Sequence, residues 1–123
     1  MLIEDDKFLC RAYNDGLDRA GYEVVIAYDG GEAVKKIRDE KPDLIILDLI
    51  LPIKNGFDIL EEIKQDDDLK KIPVVILSNH GQDADIQRGK ELGALDYLVK
   101  ANFSMKEVVD RLQDVFARSA KKG

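Results

Sequence analysis

The sequence predicts one α/β domain: a doubly wound, five-stranded parallel sheet of order 2-1-3-4-5 with helices on both faces. Three observations carry this. Short apolar runs alternate with amphipathic stretches of helical period, five times in strict succession. The apolar runs are continuous, as in strands covered on both faces. The chain has 123 residues, an ordinary length for one domain with a real core. Parallel strands joined through helices need right-handed crossovers. The first, third and fourth runs are the most apolar, so they belong in the middle of the sheet.

Each element has its own signal. Met1 to Ile3 reads as the first strand, and it is short against the usual ~5–6 residues, so the sequence reads as beginning inside it. Glu4, Asp5 and Asp6 follow at once. Leu9, Ala12, Tyr13, Gly16, Leu17 and Ala20 then recur at helical spacing, with Gly21 as the stop. Asp6 falls in the first turn of that helix, where an acid meets a favourable dipole. Val24 to Ala27 is a second strand and Asp29-Gly30-Gly31 a turn. A helix from about Glu32 to Asp39 buries Ala33, Val34 and Ile37 and ends before Pro42. Leu44 to Leu47 is the third strand, and it stops at Asp48. A loop from Pro52 to Gly56 follows, where Gly56 is free to take a positive φ.

The second half repeats the plan. Phe57, Leu60 and Ile63 share a helix face, and Gln65 to Asp68 is a polar turn. Val74 to Leu77 is the fourth strand, ending in Ser78-Asn79-His80-Gly81. Asp83 to Leu92 is a helix with Ile86, Gly89 and Leu92 inward and Gly93 as its cap. Leu95 to Val99 is the fifth strand, closed by Lys100. Ser104 and Glu107 form a capping box. They open a last helix whose stripe is Met105, Val108, Val109, Leu112, Val115 and Phe116. Residues 1–118 form the domain, and the small, basic stretch 119–123 reads as a tail or the start of a linker.

Composition narrows the function. With 45% hydrophobic and 36% charged residues the chain reads as globular, and no apolar run approaches the ~20 residues of a membrane span. A net charge of −6 argues against direct nucleic-acid binding by this domain. Cys10 is the sole cysteine, so no internal disulfide forms and a reducing cytoplasm is expected. His80 is the sole histidine, too little for a zinc site or a histidine-based triad.

In a parallel sheet every strand's carboxyl end lies on one edge. Strand 1 brings Glu4 and Asp5 there, strand 3 brings Asp48, strand 4 Ser78 and strand 5 Lys100. Each alone is ordinary, but their common arrival at strand ends is not. Crowded carboxylates repel unless a cation joins them. Hard oxygen ligands with retained water suit Mg²⁺. The spacing is that of a carboxylate that accepts a phosphoryl group in line, while a metal and a lysine hold the equatorial oxygens.

With these residues the sequence resembles the receiver domains of bacterial two-component response regulators. The resemblance covers the whole chain and rests on Glu4-Asp5, Asp48 with Pro52 and Gly56 downstream, Ser78, Tyr97 and Lys100. The acidic pair can also be read as Asp5-Asp6, but the spacing from Ile3 to the helix stripe and Gly21 favours Glu4-Asp5.

The resemblance implies a flavodoxin-like fold and a phosphorelay switch rather than an enzyme. Asp48 would be the phosphoacceptor. Asp5, Asp48 and the Ile50 carbonyl would bind Mg²⁺, with Glu4 acting through water. Lys100 would contact the carboxylate and then the phosphoryl group. Ser78 and Tyr97 would move in response, changing the face made by helix 4, strand 5 and helix 5. The implied partners are a sensor histidine kinase or phosphotransfer protein, a downstream target or output domain, and a second copy in a phosphorylation-dependent homodimer.

Three departures stand out. Ser78 replaces the commoner threonine and loses a methyl and some rotamer restriction. Ala101 stands where the family usually has a proline on a cis bond. A cis bond to alanine costs ~3 kcal/mol or more, so this loop is expected to be strained or differently routed. Ile50 and His80 lie at positions that influence water access, and an apolar Ile50 points to a long-lived phosphoryl group. A haloacid-dehalogenase-type phosphatase would need a second aspartate where Ile50 stands. A flavodoxin-like electron carrier would need a phosphate-cradling loop after strand 1. A degenerate receiver that only binds partners is the remaining alternative, and the intact set of polar residues argues against it.

Overall fold

The computed structural model describes the backbone of residues 1–122 and the side chains of residues 1–118. Elements follow in strict alternation: β1 (Leu2–Ile3), α1 (Lys7–Arg19), β2 (Ile26–Ala27), α2 (Gly30–Glu40), β3 (Ile45–Leu47), α3 (Gly56–Gln65), β4 (Val74–Ser78), α4 (Asp83–Glu91), β5 (Asp96–Val99) and α5 (Met105–Lys122). All strand pairs are parallel and the order is β2-β1-β3-β4-β5, as the apolar runs predict.

Alternation along the strands builds a core on each face. Ile3, Ile45, Leu47 and Ile76 point one way and meet Ala33 and Ile37 of α2, and Ile59, Leu60 and Ile63 of α3. Leu2, Ile46, Val75, Leu77 and Leu98 point the other way and meet Cys10, Tyr13 and Leu17 of α1, and Val108, Leu112 and Val115 of α5. The buried stripe of α1 is therefore centred on Cys10, Tyr13 and Leu17. Leu9, Ala12, Gly16 and Ala20 flank it, half-buried.

Several expected boundaries shift for local reasons. β2 is an edge strand that pairs only with the two residues of β1, so its ladder covers Ile26–Ala27 and not Val24–Ala27. β5 begins at Asp96, its first residue in register with β4, although the Leu95 N–H already donates to Val74 O at 2.8 Å. Ser78 belongs to β4 and is fully buried. α2 starts at Gly30, two residues before the expected Glu32, because the Asp29 carboxylate accepts the Glu32 N–H at 2.8 Å and caps the helix. α5 runs on through Lys122, into the stretch expected to be a tail; Gly123 and the side chains from 119 onward lie outside the described residues.

Two glycines are used for space. Gly56 opens α3 without a positive φ, contrary to the expected use of its freedom. A Cβ there would strike the Asp48 carbonyl and lie 2.7 Å from Leu49 Cα. Gly30 donates its N–H to Pro52 O at 3.1 Å, and a Cβ there would strike the Lys54 carbonyl. The loop after β3 is thus clamped between two helix starts. Its one strained residue is Ile53, a β-branched side chain at φ 73° that is 84% exposed.

Gly56→Ala is expected to destabilise the fold by about 1–3 kcal/mol through overpacking. Ile53→Gly is expected to stabilise it by about 1 kcal/mol through relief of the left-handed conformation. Urea midpoints of the two variants should move in opposite directions.

Candidate functional site

The carboxyl edge of the sheet is assembled by backbone hydrogen bonds between neighbouring strands. The Glu4 N–H donates to Ala27 O at 3.0 Å, and the Asp48 N–H donates to Ile3 O at 3.0 Å. The first bond ties β1 to β2 and the second sets the ends of β1 and β3 side by side, so Glu4, Asp5 and Asp48 emerge together. One carboxylate oxygen from each lies within 4.8 Å of the others. Glu4 and Asp48 are buried and Asp5 is exposed. Asp6 takes no part: its carboxylate accepts the Phe8 and Leu9 N–H groups at 2.9 and 3.1 Å as the cap of α1. The carboxylates that lie beside Asp48 are therefore those of Glu4 and Asp5.

Lys100 stands opposite, at the end of β5. Its ammonium bridges Asp48 Oδ2 at 3.0 Å and Glu4 Oε1. Burial pushes the Glu4 carboxyl up to about 7, with the Asp48 charge adding to it, while the Lys100 hydrogen bond pulls it back. Burial works to lower the Lys100 pKa, but the bond to Glu4 and the field of Asp48 outweigh it and the net shift is upward. The Ile50 N–H donates to Asp48 Oδ1 at 3.3 Å, so Ile50 enters the site through its backbone while its side chain is exposed. The Cys10 thiol lies 3.2 Å from the Glu4 carbonyl and donates to it, which holds the start of α1 against the same edge.

The turn after β5 takes the second of the expected routes. Lys100–Asn102 form a single 3-10 turn, and among the described residues every peptide bond is trans. The lysine still reaches both acids by this path.

Ser78 and Tyr97 meet at one residue between them. Ser78 Oγ accepts the His80 N–H at 3.3 Å, and the Tyr97 hydroxyl donates to the His80 carbonyl. Tyr97 is turned into the protein and only 8% exposed. Burial, with Asp85 and Asp48 nearby, pushes its phenol up to about 12. Among the described residues no hydrogen bond joins Ser78 to Asp48 or Lys100. The His80 side chain is exposed, as either a residue at the site mouth or a solvated loop residue would be. Its backbone role has no sequence signal, since any residue supplies an N–H and a C=O.

Comparison with known proteins agrees with this geometry. The family model of the response regulator receiver domain matches residues 1–113. The transcriptional regulatory protein CpxR of Klebsiella pneumoniae is 38% identical over 119 residues, which are 97% of this chain and 49% of that protein. The alkaline phosphatase synthesis transcriptional regulatory protein PhoP of Bacillus subtilis is 36% identical over 119 residues, 97% of this chain and 48% of that protein. The chain thus spans about half the length of the curated relatives it matches. Among solved structures, the chemotaxis protein CheY4 of Vibrio cholerae aligns with a TM-score of 0.85 at 31% identity, covering 93% of this chain and 94% of that one. The Mn²⁺-bound form of the response regulator Rcp1 aligns with a TM-score of 0.76 at 34% identity, covering 96% of this chain and 86% of that one. The family match runs through every strand that builds the acidic edge, and the chain belongs to the receiver domains of two-component response regulators, modules of phosphorylation-controlled signalling.

Proposed function

We propose that Asp48 accepts a phosphoryl group from a histidine kinase or phosphotransfer protein and that the domain, residues 1–118, signals through the face of α4, β5 and α5. The supporting observation is the placement of Asp48: one oxygen on the Lys100 ammonium, the other on the Ile50 N–H, with Glu4 and Asp5 alongside.

The donor set fits a divalent cation. Three carboxylates gather at an edge whose one ammonium pairs with only two of them, Glu4 and Asp48; all donors are hard oxygens, and Asp5 is exposed to exchange water. Glu4, Asp5 and Asp48 would hold Mg²⁺, joined by the Ile50 carbonyl that the resemblance adds, and it would supply charge neutralisation for an incoming phosphate. A Mn²⁺-bound relative supports the same reading.

The chain's own residues do the rest. An Asp48 oxygen attacks phosphorus, and the bond from phosphorus to the donor breaks with its electron pair leaving on the donor. Lys100 moves from sharing two carboxylates to contacting a phosphoryl oxygen. Ser78 exchanges the His80 N–H for another phosphoryl oxygen. That exchange disturbs the residue on which Tyr97 is anchored and biases the packing of the output face. The names of CpxR and PhoP point to an output in transcription, through an attached domain or a partner, with a homodimer as a further form of the signal. A cytoplasmic location goes with such a partner set, and no described helix is long and apolar enough to cross a membrane.

Incubation with acetyl phosphate and Mg²⁺ is expected to add one phosphoryl group by intact mass. Asp48→Ala and a Mg²⁺-free sample should show none. A folded wild type that gains nothing would replace this reading with that of a binding-only receiver.

Glu4 gives a second test. Without metal its carboxyl keeps its proton up to about pH 7, whereas its ordinary value is 4.5. Between these values the folded chain binds more protons than the unfolded one, so its stability falls as pH rises through the window. Compared with Glu4→Gln, the metal-free wild type should lose urea resistance from pH 4.5 to 7, and Mg²⁺ should restore it.

A further inference from the structure

α4 is held differently from the other helices. Asp6, Asp29 and Asn55 cap α1, α2 and α3 with side-chain hydrogen bonds, and Ser104 and Glu107 form a reciprocal box at the start of α5. Gln82, at the start of α4, makes no side-chain cap bond. Among the described residues of α4, the buried one is Gly89. Ile86 and Leu92 beside it are half-buried.

A glycine inside a helix is less favourable than alanine, because it fixes more backbone freedom. The surroundings of Gly89 show what offsets this. A Cβ there would lie 2.6 Å from Ile76 Cδ1, and 3.1 and 3.5 Å from Cδ2 and Cε2 of Tyr97. Ile76 Cδ1 and the edge of the Tyr97 ring share the space that a side chain at 89 would need, the methyl group closest and the ring edge beside it. The same ring is tethered at its far end, where its hydroxyl donates to the His80 carbonyl.

We propose that Gly89 is the positioning residue for the Tyr97 ring: the notch left by its missing side chain admits the ring to its inward place. Filling the notch shifts the ring outward with no phosphoryl group on Asp48. This rests on the reading of Tyr97 as the moving aromatic, but the placement of the ring is testable without phosphorylation.

The experiment is ¹⁹F NMR of the full chain labelled with 3-fluorotyrosine, with the Tyr97 signal assigned by its loss in Tyr97→Phe. In Gly89→Ala the Tyr97 signal is expected to move toward the position of an exposed tyrosine, while those of Tyr13, Tyr22 and Tyr28 stay. A folded Gly89→Ala whose Tyr97 signal keeps its wild-type position overturns the proposal. Stability gives the second measurement. Gly89→Ala should lower the urea midpoint of the wild type and lower that of Tyr97→Ala by clearly less, because there only the contact with Ile76 is left. An equal loss in both backgrounds overturns the proposal. Should Gly89→Ala fail to fold, recovery of the fold in the double variant supports the notch, and failure of the double variant rejects it. Should the wild type take no phosphoryl group while Gly89→Ala shows the ¹⁹F shift, the switch is refuted and the notch stands.

Discussion

Two carboxylates, Glu4 and Asp48, are buried at the edge of an apolar sheet, and the Lys100 ammonium between them makes that arrangement tolerable. An unpaired charge in such a place would be expelled or neutralised. The three residues come from β1, β3 and β5, so their meeting depends on the strand order and register of the whole sheet. One ammonium against three carboxylates leaves the edge short of positive charge. A set of hard oxygens short of positive charge is the kind of site that a divalent cation fits.

Much of this was legible in the sequence, for identifiable reasons. Continuous runs such as Leu44 to Leu47 revealed strands buried on both faces, and the alternation of elements then left few topologies. Once the strands are parallel, a polar residue at a run's end has its place assigned, which brought Glu4, Asp48, Ser78 and Lys100 together. What could not be read depends on backbone atoms or on shape. The His80 peptide groups anchor two side chains, yet a main-chain donor and acceptor leave no trace in residue identity. Asp6 reads as an acid of the first helical turn, and only the structure moves it back to the cap, with its oxygen on two helix amides. Gly56 and Gly30 look like turn residues, but both stand where another backbone passes too close for a side chain. Ala101 removes the family's proline, and the chain answers with a short helical turn that sequence spacing does not encode.

The site is stiff on one side and loose on the other. Around Asp48, the loop after β3 is clamped by the Gly30 N–H on Pro52, by the Gly56 N–H on Leu49 and by an ion pair between Lys54 and Glu62 at 2.8 Å. It even keeps a strained Ile53, which persists only because its surroundings over-determine it. On the far side, α4 lacks a side-chain cap and buries a glycine where other helices bury isoleucine or leucine. Little apolar area holds it down, which is the physical content of a low-stability element.

That asymmetry bears on how a small chemical event reaches the surface. A phosphoryl group changes contacts only within hydrogen-bond reach, and packed interiors do not deform continuously. The change must therefore be handed to an element with two available arrangements. Ser78 and Tyr97 touch the same residue, His80, one through its N–H and the other through its carbonyl. The φ and ψ of that residue alone separate the two groups, so drawing Ser78 away cannot leave the tyrosine's anchor unaffected. The ring lies against α4, the helix without a side-chain cap, whereas Asp48 stands beside the clamped loop after β3. Fixed chemistry beside a movable face is the combination that a phosphorylation-controlled signal needs, and here both follow from where the chain places a cap, a clamp and a glycine.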